Sequence, residues 1–225
     1  MKRSLLIVLL LSACAHSGGP DADVNDIAQP LLKSCTADPE LQKHASARLL
    51  ALAEQDQKDR AIPFDKIDWN QVTPRDIQRR IEVAEFFARG CLESAADFAS
   101  AAIVYQHGDT AEQAYQASVW AKRAVELGDA SQKWLAAAAV DRYLVRSHRK
   151  QLYATQFSRN DGEECWCMDP VEETFPDKLR KQMTGKTLLE SKKMFLKSRD
   201  SKCSEIKICP RKVKNTPAGS VVGYW

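Results

Sequence analysis

Thr110-Ala111-Glu112-Gln113-Ala114-Tyr115-Gln116-Ala117-Ser118-Val119-Trp120-Ala121-Lys122-Arg123-Ala124-Val125-Glu126-Leu127-Gly128 is the stretch on which the fold turns. Thr110 and Gln113 have the spacing of a capping box, in which each side chain satisfies a backbone N–H of the first helical turn. Gly128 supplies the stop. Asp129-x-x-Gln132 then opens a further helix through Trp134, Leu135, Ala138 and Leu144. Working upstream, Glu93 to Gln106 carries Phe98, Ala99, Ala102, Ile103 and Tyr105 as a third helix. Thr73-Pro74-Arg75-Asp76 reads as the start of a second, with Ile77, Ile81, Ala84 and Ala88 as its stripe and Gly90 as its stop. Asp38-Pro39-Glu40 starts the first, with Leu41, Ala45, Leu49, Leu52 and Ala53 on one face. Alanine supplies many of these packing positions, which lets helices approach closely.

After His148 the pattern changes. Gln151 to Phe157 reads as extended or loop, and Ser158 to Glu164 as a polar surface loop. Short helices are expected near Lys178–Met183 and Thr187–Lys197, then an irregular basic tail from Ser198 and a loose end from Gly219. The fold class is therefore mainly α: an irregular helical domain of antiparallel helix pairs with a loop-rich, disulfide-bearing C-terminal segment. The organisation is a leader at 1–13, a tether at 14–24, a helical body at 25–157 and the basic C-terminal segment at 158–225.

Charge follows the same division. Residues 15–175 hold 18 Lys+Arg and 26 Asp+Glu, a net −8, whereas residues 176–225 hold 13 and 4, a net +9. The basic tail reads first as a solvated segment stapled by disulfides; the acidic body, anionic lipid headgroups or another acidic polymer are the alternative partners for its charge.

The N-terminus sets the compartment. Met1-Lys2-Arg3, the apolar run Leu5–Leu11 and the small residues Ser12-Ala13 form the three parts of a secretory signal. The run is too short for a bilayer span, which needs about 20 apolar residues. Leu11-Ser12-Ala13-Cys14 resembles the lipobox of bacterial lipoproteins. That resemblance implies cleavage before Cys14, acylation of Cys14 and anchoring on a membrane. Ala15 stands where an inner-membrane retention signal has aspartate, which implies the outer membrane. Gly18, Gly19 and Pro20 read as a flexible tether.

Of seven cysteines, Cys35, Cys91, Cys165, Cys167, Cys203 and Cys209 remain after Cys14. An even number in an exported chain points to disulfides. The expected pattern is Cys35 with Cys91, and the other four among themselves. A zinc site from Cys165-x-Cys167 and Cys203-x5-Cys209 is the alternative, although neither spacing is a usual zinc knuckle.

Ala101 to Leu144 is similar to a Sel1-like helical hairpin, through Tyr105, Gly108, Ala114, Tyr115, Trp120, Ala121, Ala124 and Gly128. This covers about one unit, where a solenoid needs about three. Over residues 45–197 the chain also resembles a bacterial family called domain of unknown function 6624. The resemblance rests on Leu49–Gln57 with Arg60, on Gln106-His107-Gly108-Asp109, on Ala139-Val140-Asp141-Arg142, and on Gln151-x-Tyr153-Ala154-Thr155-Gln156. The family usually has glycine where this chain has Ala154. It implies positions and no reaction.

The residues at those positions are candidates in their own right. His107, at a helix C-terminus where the dipole favours imidazolium, is a proton carrier or a cap. Asp141 and Arg142 either orient a substrate or support the scaffold, with Arg142 suited to gripping an anion or pinning the Gln151–Gln156 loop. Tyr153, Thr155 and Gln156 are candidate ligand-orienting groups and equally candidate loop-locking groups. Glu54, Asp56 and Arg60 read as a solvated helix end, with acid–base work by the paired carboxylates as the alternative. No nucleophile elbow, phosphate loop, zinc-protease motif or dinucleotide fingerprint is present. No cofactor or metal is therefore called for, and nucleic acid is excluded as a partner for an exported lipoprotein. The expectation is a lipid-anchored helical module that binds an envelope protein or small ligand. An envelope hydrolase using His107 with Asp141 and Arg142 is the alternative.

Overall fold

The computed structural model describes residues 33–159, 162–199 and 203–224. The leader, Cys14 and the tether lie outside the described residues. Seven α-helices are found among the described residues: α1 (Pro39–Asp59), α2 (Trp69–Ala88), α3 (Ala95–Gln106), α4 (Ala111–Glu126), α5 (Lys133–Arg146), α6 (Asp177–Thr184) and α7 (Leu188–Arg199). None is long and apolar enough to cross a membrane.

Local chemistry places most helix starts. Asp38 Oδ1 accepts from Leu41 N at 3.1 Å, with Pro39 at the first helical position of α1. Ser94 and Asp97 form a complete capping box for α3, and Thr110 and Gln113 form the one read for α4. Asp129 caps a short 3₁₀ turn, Ala130–Gln132, that leads into α5. The mainly α class is as expected. α3 packs on α4, α4 on α5, and α1 on α3. The close approach comes from alanine: Ala101, Ala121 and the run Ala136 to Ala139 are fully buried.

α2 departs from the sequence reading twice. It begins at Trp69, capped by Asp68, and runs through Pro74. Proline there removes one backbone donor, the N–H that would bond the Asn70 carbonyl, and the helix continues past it. Its buried face is also not the Ile77–Ile81 stripe. Those isoleucines are 46 % and 48 % exposed, while Val72, Asp76, Arg79, Arg80, Val83 and Phe86 face inward. Three charged residues on the inner face of a helix need partners.

Past α5 come three two-residue strands, β1 (Phe157–Ser158), β2 (Cys167–Met168) and β3 (Lys207–Ile208), in the order β1-β2-β3. β1 and β2 are antiparallel, with Phe157 opposite Met168; β2 and β3 are parallel, with Cys167 opposite Lys207. The disulfides are Cys35–Cys91, Cys165–Cys203 and Cys167–Cys209. The expected division of pairs holds, and the zinc alternative falls because all four C-terminal sulfurs are engaged with one another. The segment from Gly219 to Tyr224, expected to be loose, is tied down; Trp225 lies outside the described residues. Val221 is buried, Tyr224 Oη donates to Ser118 O on α4 at 2.7 Å, and Thr216 N donates to Glu172 Oε2 at 2.9 Å.

Candidate functional site

The inner face of α2 and the end of α1 build a charged lattice. Arg60 NH2 meets Asp76 Oδ2 at 2.5 Å, and its NH1 meets Asp56 Oδ1 at 3.1 Å. Arg79 bridges Asp76 Oδ1 and Asp59 Oδ2, at 2.6 and 2.8 Å. Asp59 also holds Arg75 through two bonds. Burial pushes the Asp76 carboxyl up, but the Arg60 and Arg79 guanidiniums outweigh it and hold the group below its ordinary range. Asp56, read from sequence as part of a solvated helix end, is only 1 % exposed. Glu54 does face solvent.

Asp56 Oδ2 lies 2.7 Å from Nδ1 of His107, the residue that closes α3. The same oxygen accepts from Gln57 Nε2 at 3.0 Å. A carboxylate only accepts, so Nδ1–H donates and Nε2 is left with its lone pair. No described residue bonds Nε2. Burial lowers the His107 pKa below 6.5, against the raising effect of Asp56, and the cations Arg60 and Arg142 lower it further. The imidazolium expected from the helix dipole is therefore overridden: in this setting neutral imidazole is the favoured form.

His107 opens onto a cleft of about 1190 Å³ between the helical body and the C-terminal segment. Arg60, Asp76, Asp109, Arg142, Arg146 and Thr155 contribute polar groups to its lining. Arg142 Nε donates to Gln156 Oε1 at 3.2 Å, and NH1 to Gln106 O at 2.5 Å. Both partners are neutral, and Arg142 has no carboxylate within ion-pair distance among the described residues. Desolvation by burial, then repulsion from Arg146 and Arg60, pulls its pKa down to about 10, which leaves it charged at neutral pH. Arg146, one turn on, donates to Thr110 O at 3.1 Å and likewise has no ion pair, though Asp109 acts on it from farther away.

Aromatic rings line part of the cleft, at its mouth where they are exposed, beside charged Asp65, Arg159 and Lys186. Phe64 and Trp69 are 5.4 Å apart between ring centroids; Phe64 and Trp166 are 6.3 Å apart, and Trp166 and Phe195 are 5.7 Å apart. The guanidinium of Arg60 lies over Trp69 at 6.0 Å and that of Arg159 over Trp166 at 5.4 Å. Phe64 and Trp69 are exposed, as is Trp134 on the same lining.

The candidates read from sequence therefore separate. His107, Arg142 and Thr155 line the cleft. Gln156 stands behind them: it accepts from Arg142, and its Nε2 donates to Thr155 Oγ1 at 3.0 Å. Asp141, fully buried, does not reach the cleft. It accepts from Leu152 N, Tyr153 N, Thr155 N and Thr155 Oγ1 at 2.8, 2.9, 3.0 and 2.8 Å, which fixes the loop. Desolvation pushes its carboxyl up to about 6 against the pull of these donors. Tyr153 is also buried, stacked edge-on to Phe175, with its hydroxyl donating to Tyr224 O at 3.1 Å. Ala154, on the cleft wall, has φ of 60°, a conformation that favours the glycine of the resembling family.

Sequence reasoning passed over the roles of Asp56 and Asp76, the unpaired Arg146 and the aromatic mouth. One signal was present: charged residues at 76, 79 and 80 recur at helical spacing with Val72 and Val83, an interrupted stripe that a packed helix tolerates only if the charges are matched. Among the described residues, no three His, Cys, Asp or Glu side chains gather as a metal site requires. No family model matches the chain, and no curated protein or solved structure matches it either.

Proposed function

We propose that this is a lipid-anchored protein of the bacterial envelope, held through Cys14 on the outer membrane, whose cleft binds a small anionic ligand. The reading is carried by Arg142, a partly buried cation bonded only to neutral oxygens, with a second unpaired cation one helical turn away. Like charges at that spacing repel, and a buried charge without a counterion is unfavourable. A bound anion corrects both defects, and guanidinium forks match phosphate or carboxylate oxygens. The lipid anchor rests on the lipobox resemblance of Leu11-Ser12-Ala13-Cys14.

Thermal unfolding with inorganic phosphate tests the cleft. A ligand that binds only the folded state raises the melting temperature by mass action. The wild type is expected to gain stability with phosphate concentration, and Arg142→Gln to lose that gain while remaining folded. An equal response in the two proteins would refute the reading. Cys14→Ala, expressed in a bacterial host, is expected to leave the membrane fraction; unchanged retention without acyl mass on the N-terminal peptide would refute the anchor.

A further inference from the structure

We propose that the cleft hydrolyses a phosphodiester attached to a flat ring, with His107 as general base held in place by Asp56. This rests on the anion-binding reading of Arg142 and adds chemistry to it. The geometry is the argument. Nδ1–H is committed to a buried carboxylate at 2.7 Å, which fixes both ring orientation and tautomer. Nε2 keeps its lone pair and has no described protein partner. The residue lines the same cleft as the unpaired guanidiniums. A base oriented by a carboxylate, next to cations that hold an electrophile, is the arrangement that proton abstraction from water requires.

The step balances with water as the only co-reactant. Nε2 takes a proton from water while the water oxygen forms a bond to phosphorus. The bond from phosphorus to the leaving oxygen, opposite the entering water, breaks; that oxygen takes a proton from solvent water, and the imidazolium releases its own proton to solvent. The products are a phosphomonoester and an alcohol.

Charge selects the diester. A phosphodiester enters with one negative charge and gains a second as the water oxygen adds. Arg142 and Arg146 supply two cations with no ion pair of their own, so their attraction is greatest at the transition state. A monoester is already close to dianionic and reacts through a loose transition state, in which a base contributes little. The ring is selected by the mouth. Exposed Phe64 and Trp69 continue through Trp166 to Phe195, with Arg60 and Arg159 stacked on the tryptophans. Such a surface takes a planar or sugar ring by stacking.

The full chain, purified from membranes in detergent, is assayed with bis(4-nitrophenyl) phosphate, 4-nitrophenyl phosphate and 4-nitrophenyl acetate. The diester is expected to be the preferred substrate. His107→Gln is expected to lower kcat by about 10²-fold or more, the range of a general base, while phosphate still raises its melting temperature. The kcat/KM of the wild type is expected to fall with acid as His107 takes up a proton, at a pH lower than an ordinary histidine would give because burial lowers its pKa, with a flat profile in His107→Gln. The charged groups facing this imidazole are Asp56 and Arg60 from the α1 end, Asp76 through Arg60, Arg80 through the His107 carbonyl, and Arg142 from α5. Asp56→Asn is expected to lower kcat more than it changes KM. A wild type that binds phosphate yet leaves the diester intact would overturn the hydrolytic proposal alone. Equal turnover by His107→Gln, or preference for the acetate or the monoester, would overturn it as well. No response to phosphate would overturn it together with the anion-binding reading.

Discussion

Asp141→Asn separates the scaffold from the site. In the wild type this buried carboxylate accepts from three backbone N–H groups and one hydroxyl of the segment 152–155. An amide keeps one acceptor oxygen. If that oxygen faces Leu152 and Tyr153, the amide nitrogen faces Thr155 N, and that donor is left unsatisfied. The Thr155 hydroxyl can turn and accept instead. The reverse orientation orphans Leu152 N, while Tyr153 N keeps its 3.2 Å bond to the other oxygen position. One buried donor without a partner costs about 1–3 kcal/mol, and converting charge-assisted bonds to neutral ones weakens those that remain. Relief from burying a charge offsets part of this, so about 2–3 kcal/mol is expected. For an ordered unit of this size that corresponds to a melting temperature lower by roughly 4–12 °C. Urea melts give the free energy. Hydrogen exchange at Leu152, Tyr153 and Thr155 localises the loss, and phosphate titration reports the cleft. The reasoning is refuted if Asp141→Asn melts within about 1 °C of wild type, a shift too small for an orphaned donor. It is refuted equally if the variant keeps its stability but loses phosphate binding, since Asp141 would then act on the ligand.

Other perturbations address separate parts of the molecule. His107 has its pKa lowered by burial in the folded state, whereas the unfolded imidazole titrates near 6.5. Below that pH the unfolded chain therefore takes up more protons, and this group's share of stability is lost as the pH falls. The difference in unfolding free energy between wild type and His107→Gln should narrow from pH 7 to 5; a constant difference would contradict the assignment. Ala154→Gly is expected to change stability by less than about 1 kcal/mol. Release from the left-handed conformation, about 1–2 kcal/mol, is offset by the lost methyl burial and by glycine's greater freedom when unfolded; a loss of 3 kcal/mol in urea melts would rule that out. Replacing Cys35 and Cys91 together by alanine removes a link across 56 residues. It is expected to lower stability by about 4 kcal/mol in the chain-entropy account, and a reduced melt matching the wild type would exclude it.

The parts of the architecture that were legible in the sequence are those governed by local chemistry. The caps at Asp38 and Thr110, and the alanine-rich faces of α4 and α5, each depend on residues within one or two turns, and the structure places them as read. α2 was misread because its inward face is charged. A hydrophobic period assigns Ile77 and Ile81 to the core, yet the core needed Asp76, Arg79 and Arg80 to complete a lattice with α1 and the start of α4. That pairing joins residues far apart in the chain, and no local rule reports it. Asp56 went the same way: with Glu54 and Arg60 it reads as a solvated helix end, and only the end of α3 folding over it reveals His107 as its partner. The loop motif was recognised at the right residues, but its division of labour is three-dimensional. Asp141 and Tyr153 face inward and hold the loop; Thr155, from the same segment, reaches the cleft wall, and Ala154 makes the turn between them at φ of 60°. A site assembled on matched charges is thus hidden from hydrophobic periodicity. In the proposed reading, Arg142 and Arg146, two cations with no acid within ion-pair distance among the described residues, leave the cleft with positive charge that a counterion from outside the chain would balance.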